Sequence, residues 1–345
     1  MSLNETNSED IYDNAYTKEQ LKNIKYLKKL LNDNNPDLYR QLENFEYLAS
    51  GAESNVYKVK IKKINKICVM KLIINNNRQK RNYKEIYISK KLKHKNIIDF
   101  INYTPLNNTE SDIILLEYGS QGDLRNFLKN SLNRNYYSET MLCYITYHVL
   151  NALKYCKIQK IVHYDIKPAN IIIDEKLIIK LIDFSISLDY SQIDSDDIKL
   201  ILSGTPYYMP PEVIKKETIK LKDVNKIDIY SLGVTLYKLS CCCYPYDLKN
   251  EDSDNYDKIY NKIMNNNLEI NNENNEYSQY FINFIKKLLE KDITKRINID
   301  QALDDYWVKG ANILMEEKEK LSNDYSFIIN LLRDYIYEFN YYNKK

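Results

Sequence analysis

His163-Tyr-Asp-Ile-Lys-Pro-Ala-Asn170, followed by Asp183-Phe-Ser185, is the stretch on which the reading of this chain turns. Ile161-Val162 precedes the first segment and Ile178-Ile-Lys-Leu-Ile182 the second. Each is a β-branched run that gives way to polar side chains, as short strands do where they deliver a loop. The composition around them is skewed to Asn, Ile, Lys and Tyr, with 33 Tyr but only six Gly and seven Pro in 345 residues. A chain so short of backbone specialists keeps them where the backbone requires them. Gly51, Gly119, Gly122, Gly204 and Gly233 fall inside the motifs described below, and only Gly310 does not.

The length allows two packed lobes. With 44% hydrophobic and 28% charged residues the chain is globular rather than disordered. No window approaches the roughly 18 unbroken apolar residues of a membrane span. Met1–Asp10 is polar and acidic, unlike a secretory signal or an Arg-rich transit peptide, and position 2 is not the Gly that myristoylation needs. A soluble, cytoplasmic protein is expected. The net charge of +2 argues against a nucleic-acid or membrane partner. Cys68, Cys143, Cys156 and the run Cys241-Cys242-Cys243 lack zinc-ligand spacing and are expected to be reduced core thiols.

Along the chain, Thr17 to Leu31 carries a helical stripe of Leu21, Ile24, Leu27, Leu30 and Leu31. Thr17 with Gln20 reads as a capping box, and Asn32-Asp-Asn-Asn-Pro36 ends the helix. From Phe45 to Leu116 the pattern is strand-like, interrupted by one helical segment, Arg81 to Leu92. From Leu124 onward helical periods dominate, as in Glu139–Tyr155, Ile227–Ser240 and Phe281–Leu289. Lys249–Asp257 and Asn265–Asn275 read as loops, and 311–345 as an amphipathic helix. Strands first and helices second point to a two-lobed α+β enzyme with a cleft.

Several further segments stand in order around the opening pair. Leu48-Ala-Ser-Gly-Ala-Glu-Ser-Asn-Val-Tyr57 precedes Cys68-Val-Met-Lys71, and Glu85 lies on the following helix ahead of His94-Lys-Asn-Ile97. Ile113-Ile-Leu-Leu-Glu-Tyr-Gly119 and Gln121-Gly-Asp123 come next, then Ser203-Gly-Thr-Pro-Tyr-Tyr-Met-Pro-Pro-Glu212, Asp228-Ile-Tyr-Ser-Leu-Gly233 and Arg296. From about Phe45 to Trp307 these segments resemble the eukaryotic-type protein kinase superfamily, in its Ser/Thr kinase-like form, with no subfamily assigned. The resemblance implies a kinase domain over 44–308 with N-lobe 44–118 and C-lobe 119–308, and the helical patterns outside it leave a helical extension over 1–43 and a helical tail over 309–345. It implies transfer of the γ-phosphoryl group of Mg-ATP to a Ser/Thr hydroxyl of a protein substrate, with any regulatory partner at the terminal helices.

The resemblance also assigns roles. Such chemistry needs the phosphates clamped, metals held and the acceptor hydroxyl in line. Asp165 would orient or accept the hydroxyl proton, Lys167 would neutralise the travelling phosphoryl, and Asn170 and Asp183 would hold Mg²⁺. Lys71, paired with Glu85, would hold the α/β-phosphates. Ala49, Gly51 and Ser54 occupy the positions of the family's glycine-rich loop, and Val56 would cover an adenine face. Leu116 would guard the back pocket, Glu117 and Gly119 would meet the adenine edge through their backbone, and Asp123 would meet the ribose. Thr205 would bridge Asp165 and Lys167, Glu212 would pair with Arg296, and Asp228 would tie down the catalytic loop. His163 is expected to pack structurally with Phe184.

Three departures matter. The glycine-rich loop keeps only its middle glycine, Ser185 replaces a flexible glycine, and Tyr164 replaces the Arg that pairs with a phosphorylated residue in many kinases. With Lys199 the only cation between Asp183 and Glu212, activity is expected not to need phosphorylation of that segment. A pseudokinase scaffold is the second reading, raised by the thinned loop and Ser185 and opposed by the presence of Lys71, Glu85, Asp165, Asn170 and Asp183. A small-molecule kinase is the third, opposed by Lys167 and the Gly204-Thr205 to Glu212 segment.

Overall fold

The structure is a computed structural model and describes residues 17–50, 54–74, 81–106, 109, 111–127, 137–249, 255–270 and 277–310. Gly51 and the expected helix over 311–345 lie outside the described residues. These divide into two compact units, one running to Lys91 and taking in Ile98–Tyr118, the other comprising Leu92–Ile97 and the chain from Gly119 onward. Among the described residues no helix is long and apolar enough to cross a membrane.

The first unit begins with α1 (Lys18–Asn34) and α2 (Pro36–Gln41). Thr17 and Gln20 form the expected capping box: the Thr17 hydroxyl accepts from the Gln20 N–H at 3.3 Å, and the Gln20 side chain accepts from the Thr17 N–H at 2.8 Å. Asn35 closes one helix and opens the next. Its N–H donates to the Leu31 carbonyl, and its side chain accepts from the Leu38 N–H ahead of Pro36 at the first turn.

Five antiparallel strands follow, β1 (Leu42–Ser50), β2 (Ser54–Ile61), β3 (Lys66–Ile74), β4 (Phe100–Pro105) and β5 (Ser111–Glu117), in the order β1-β2-β3-β5-β4. Period-two alternation splits them into two faces. Tyr57, Val59, Met70, Leu72, Ile113 and Leu115 pack with Ile24, Leu27 and Leu31 of α1 in one core. The α1 helix therefore shares the core of the sheet. On the other face Ala49, Val56, Lys71 and Ile114 stand directly opposite one another across four strands. There Ile73 and Ile114 pack with Ile86 of α3 (Arg81–Lys91), so the helix lies over the face that carries Lys71.

In the second unit α4 (Glu139–Ile158) is capped by Ser138, whose hydroxyl accepts from the Met141 N–H. Two short ladders follow: β6 (Ile161–Val162) pairs with β9 (Leu188–Asp189), and β7 (Ile171–Ile173) with β8 (Ile179–Leu181). The loop 163–170 thus spans β6 and β7, and Asp183 lies just past β8. A third ladder joins β10 (Asp197–Lys199) to β11 (Thr218–Lys220) on either side of α5 (Pro211–Ile214). The centre is α6 (Lys226–Cys241), buried almost throughout. It is followed by α7 (Tyr256–Asn265), α8 (Gln279–Leu288) and α9 (Ile299–Leu303).

Two expectations need correction. α7 begins at Tyr256, inside the span read as a loop, because Ile259 and Ile263 are four apart and bury one helical face. The cysteines are not all core thiols. Cys68, Cys143 and Cys156 are buried, but Cys241 is half-buried and Cys242 and Cys243 are exposed, where α6 ends on the left-handed Cys242.

Candidate active site

In the first unit, the strand register aims Lys71 at α3. Its ammonium meets the Glu85 carboxylate at 2.6 Å, with side-chain exposures of 13% and 7%. A pair this well shielded is screened far less by solvent than a surface ion pair. Val56 stands beside Lys71 on the same face with Ala49 beyond it, and Ser54, two residues before Val56, points the same way along β2. Leu116 packs beside the Ile73–Ile86–Ile114 cluster. Glu117 ends β5, its N–H donating to the Asp99 carbonyl at 2.9 Å.

In the second unit the loop 163–170 is built around Asp165, which is buried. One carboxylate oxygen accepts from the Thr205 hydroxyl at 2.6 Å and the Thr205 N–H at 3.1 Å. The other meets the Lys167 ammonium at 2.6 Å and the Asn170 amide at 2.8 Å. Lys167 also donates to the Thr205 hydroxyl at 2.7 Å. A carboxylate has about four acceptor sites, and all are engaged. The second hydrogen of the Asn170 amide goes to the Asp165 carbonyl at 2.9 Å.

The loop is in turn tied to the centre of the unit. Asp228 on α6 accepts from the backbone N–H groups of His163 and Tyr164, both at 2.8 Å. Burial pushes its carboxyl up, and those two N–H donors pull it part of the way back. His163 packs against Phe184 with tilted rings 4.7 Å apart, donates from Nε2 to the Ile182 carbonyl at 3.0 Å and accepts at Nδ1 from the Asp165 N–H at 3.2 Å. Those two bonds call for the neutral Nε2–H tautomer, a structural histidine. The Ile182 N–H donates to the Asn170 carbonyl at 3.0 Å, which brings Asn170 beside Asp183.

Residues 42–308 match the protein kinase domain family. The chain belongs to the protein kinase family. It is similar to the probable serine/threonine-protein kinase mkcD of Dictyostelium discoideum, with 29% identity over 86% of this chain and 44% of that protein. It resembles Aurora kinase B of Drosophila melanogaster at 28% identity over 81% of this chain and 80% of that protein. CBL-interacting serine/threonine-protein kinase 14 of Arabidopsis thaliana is 30% identical over 79% of this chain and 59% of that protein. The chain spans less than half the length of mkcD. The fold is accordingly the α+β kinase fold, a strand-rich unit followed by a helix-rich one.

The kinase's expected metal ligands have suitable chemistry. Magnesium takes oxygen donors, and Asn170 commits both amide hydrogens to Asp165, which leaves its oxygen as the atom for a cation. Asp183 adds a carboxylate from a left-handed backbone position, φ 65°. Tyr164, in the loop 163–170, has the same backbone conformation, at φ 71°. Positive φ in non-glycine residues costs about 1–3 kcal/mol and persists only where the surroundings hold it. Ser185 has no positive φ, so the conformation here does not require the glycine it replaces.

Tyr164 lies in an apolar cluster with Ile198, Leu200 and Met209 of the segment between Asp183 and Glu212, and with Val213, Ile219 and Ile227. Burial raises its phenol above the usual range. Glu212 and Arg296 form the expected pair, bidentate at 2.7 and 3.0 Å and fully buried, with Tyr230 beneath the guanidinium at 4.9 Å.

Two features of the turn that follows β5 were not anticipated. Asp123 accepts from the N–H, Nε and NH2 of Arg125 at 2.8, 3.1 and 2.8 Å, a pairing for which the Asp-x-Arg spacing in a turn is the available signal. Gly119 is closely packed, since a Cβ there would stand 2.4 Å from the Ile172 Cδ1 and that side chain would have to shift.

Gly204 is held more firmly. Its φ is +114°, and a Cβ would approach the Tyr164 carbonyl oxygen to 2.8 Å. Gly204→Ala is expected to cost about 1–3 kcal/mol, because neither backbone can give way cheaply. The measurement is the urea midpoint; a variant with a wild-type midpoint contradicts this account of Gly204.

Proposed function

We propose that this kinase transfers the γ-phosphoryl group of Mg-ATP to Ser and Thr hydroxyls of a protein substrate, and that it does so without phosphorylation of the segment between Asp183 and Glu212. The observation that carries the first part is the enclosure of Asp165 by Thr205, Lys167 and Asn170. Lys71, steadied by Glu85, is the residue to hold the phosphates, and a magnesium ion bound beside them would neutralise charge on their oxygens. Asn170 and Asp183 are the residues to hold that metal. Asp165 has no acceptor site to spare while Lys167 sits on it. Lys167 therefore has two tasks. When it turns toward the anionic phosphoryl group it releases a carboxylate lone pair, which then receives the hydroxyl proton.

The second part is supported by the surroundings of Tyr164. A phosphorylated segment is ordinarily held by charge. Here Ile198, Leu200 and Met209 pack against an uncharged, buried ring, and the β10–β11 ladder fastens the same segment by backbone hydrogen bonds. Neither device uses a phosphate.

Labelled ATP and peptides with Ser, Thr or Tyr as sole acceptor test the reaction: Ser and Thr label, and exclusive Tyr labelling overturns the specificity. Phosphatase treatment of the purified kinase is expected to leave its activity within about twofold, since an apolar cluster of this kind carries several kcal/mol that no phosphate contributes. Loss of most activity would sink the phosphate-independent reading.

A further inference from the structure

In the second unit a cavity of about 820 Å³ opens where the end of α4 meets β11 and the turn that follows it. Lys154, Lys157, Lys160, Lys220 and Lys222 line it, against only Asp196 and Asp300. Asp300 is already shared by Lys154 at 3.3 Å and Lys157 at 2.8 Å, and Lys220 pairs with Asp197 at 2.9 Å. Lys160 and Lys222 make no ion pair among the described residues, and both are exposed. The Lys160 ammonium lies over the Tyr190 ring at 5.8 Å. The wall is also apolar in part. Ile158 is 65% exposed, and Leu221 is half-buried beside it. The floor is fixed, because the Tyr190 hydroxyl donates to the Asn225 side chain at 2.9 Å.

We propose that this cavity is a docking site for an acidic peptide segment with an apolar anchor, carried by a protein partner. The excess of lysine carboxylates cannot satisfy from within the chain sets the sign of the ligand. The exposed Ile158 and the half-buried Leu221 favour a peptide over a small anion, since an anion gains nothing from apolar wall. The volume lies in the range of about 300–1,000 Å³ that encloses a compact ligand, far more than one phosphate fills. Tyr190 is only 6% exposed, which leaves no ring face for a nucleic-acid base to stack on. One edge of the cavity belongs to the segment between Asp183 and Glu212, where the Leu221 N–H donates to the Asp196 carbonyl at 2.7 Å. A docked acidic segment would compete with Asp196 and Asp197 for the lysines, so docking and that segment are coupled.

The proposal stands apart from the phosphoryl-transfer reading, and its test uses no nucleotide. Fluorescence anisotropy is measured on the full chain with a labelled peptide of alternating Glu and Leu, and with a Lys and Leu counterpart. The Glu/Leu peptide is expected to bind with an affinity that falls as salt rises, and the Lys/Leu peptide not to bind. In the double variant Lys160→Glu with Lys222→Glu, affinity should fall at least about tenfold, as expected when close charges are reversed in an interface. The Ala double variant should fall less, and thermal unfolding confirms that both remain folded. Failure of the Glu/Leu peptide to bind, equal binding of the Lys/Leu peptide, or unchanged affinity in both double variants overturns the proposal. Displacement by inorganic tripolyphosphate as effectively as by unlabelled peptide also overturns it, because the site then reads as one for small anions.

Discussion

Asp165→Asn is expected to lower the rate of phosphate transfer by about 10²–10⁴-fold, the usual contribution of a positioned general base. The amide has the same shape but cannot take the hydroxyl proton. It also inverts part of a network. One carboxylate oxygen accepts from Lys167 and Asn170. If the new amide keeps its oxygen toward Thr205, its NH2 faces two donors. Lys167 and Asn170 then lose an acceptor, at about 1–3 kcal/mol for a buried group left unsatisfied. The variant should therefore unfold at lower urea while remaining folded without denaturant. The check is kcat at saturating ATP together with the urea midpoint. A folded variant retaining more than about a tenth of wild-type kcat would show that Asp165 is not the base.

Glu212→Ala should have the largest effect on stability, about 3–5 kcal/mol, because it leaves the Arg296 guanidinium buried and uncompensated. That is a large share of the roughly 5–15 kcal/mol by which a domain is stable. Arg296 also donates to the carbonyls of Glu290 at 2.7 Å and Lys226 at 3.0 Å. Replacing both partners by apolar residues is often neutral for an isolated buried pair. Here it strands those carbonyls, so the double variant Glu212→Leu with Arg296→Met should remain destabilised. Urea unfolding of the single and double variants decides it. A loss below about 1 kcal/mol for Glu212→Ala would mean that the pair does not anchor this unit.

What could be read from the residues alone was what depends on short spacings and on motif order. The Thr17–Gln20 capping box spans three residues, and both of its bonds form. The Asp165–Lys167–Thr205 set, the Asp228 tether and the Glu212–Arg296 pair join residues far apart in the chain, and they were legible only through resemblance to the kinase pattern. The structure brings each of these groups into contact. What escaped notice depends on packing or on a local turn. The apolar nest of Tyr164 is assembled from residues between Val162 and Ile293, and no local pattern encodes such a set. Tyr164 could be seen to lack a charge, but not what holds the segment in its place. Arg125 was overlooked because an Asp-x-Arg pair becomes a closed ion pair only once a turn folds it back. The exposed end of α6 misled because cysteine is usually buried, whereas Cys242 sits at a left-handed helix terminus.

The most direct test of the central claim is transfer of labelled phosphate from Mg-ATP to a Ser/Thr peptide by wild type and by Asp183→Asn. The account predicts robust labelling by the wild type and a loss of about a hundredfold or more in the variant, as expected when an electrostatic stabiliser of the transferring group is removed. Equal labelling by the two, or none by the folded wild type, would contradict it.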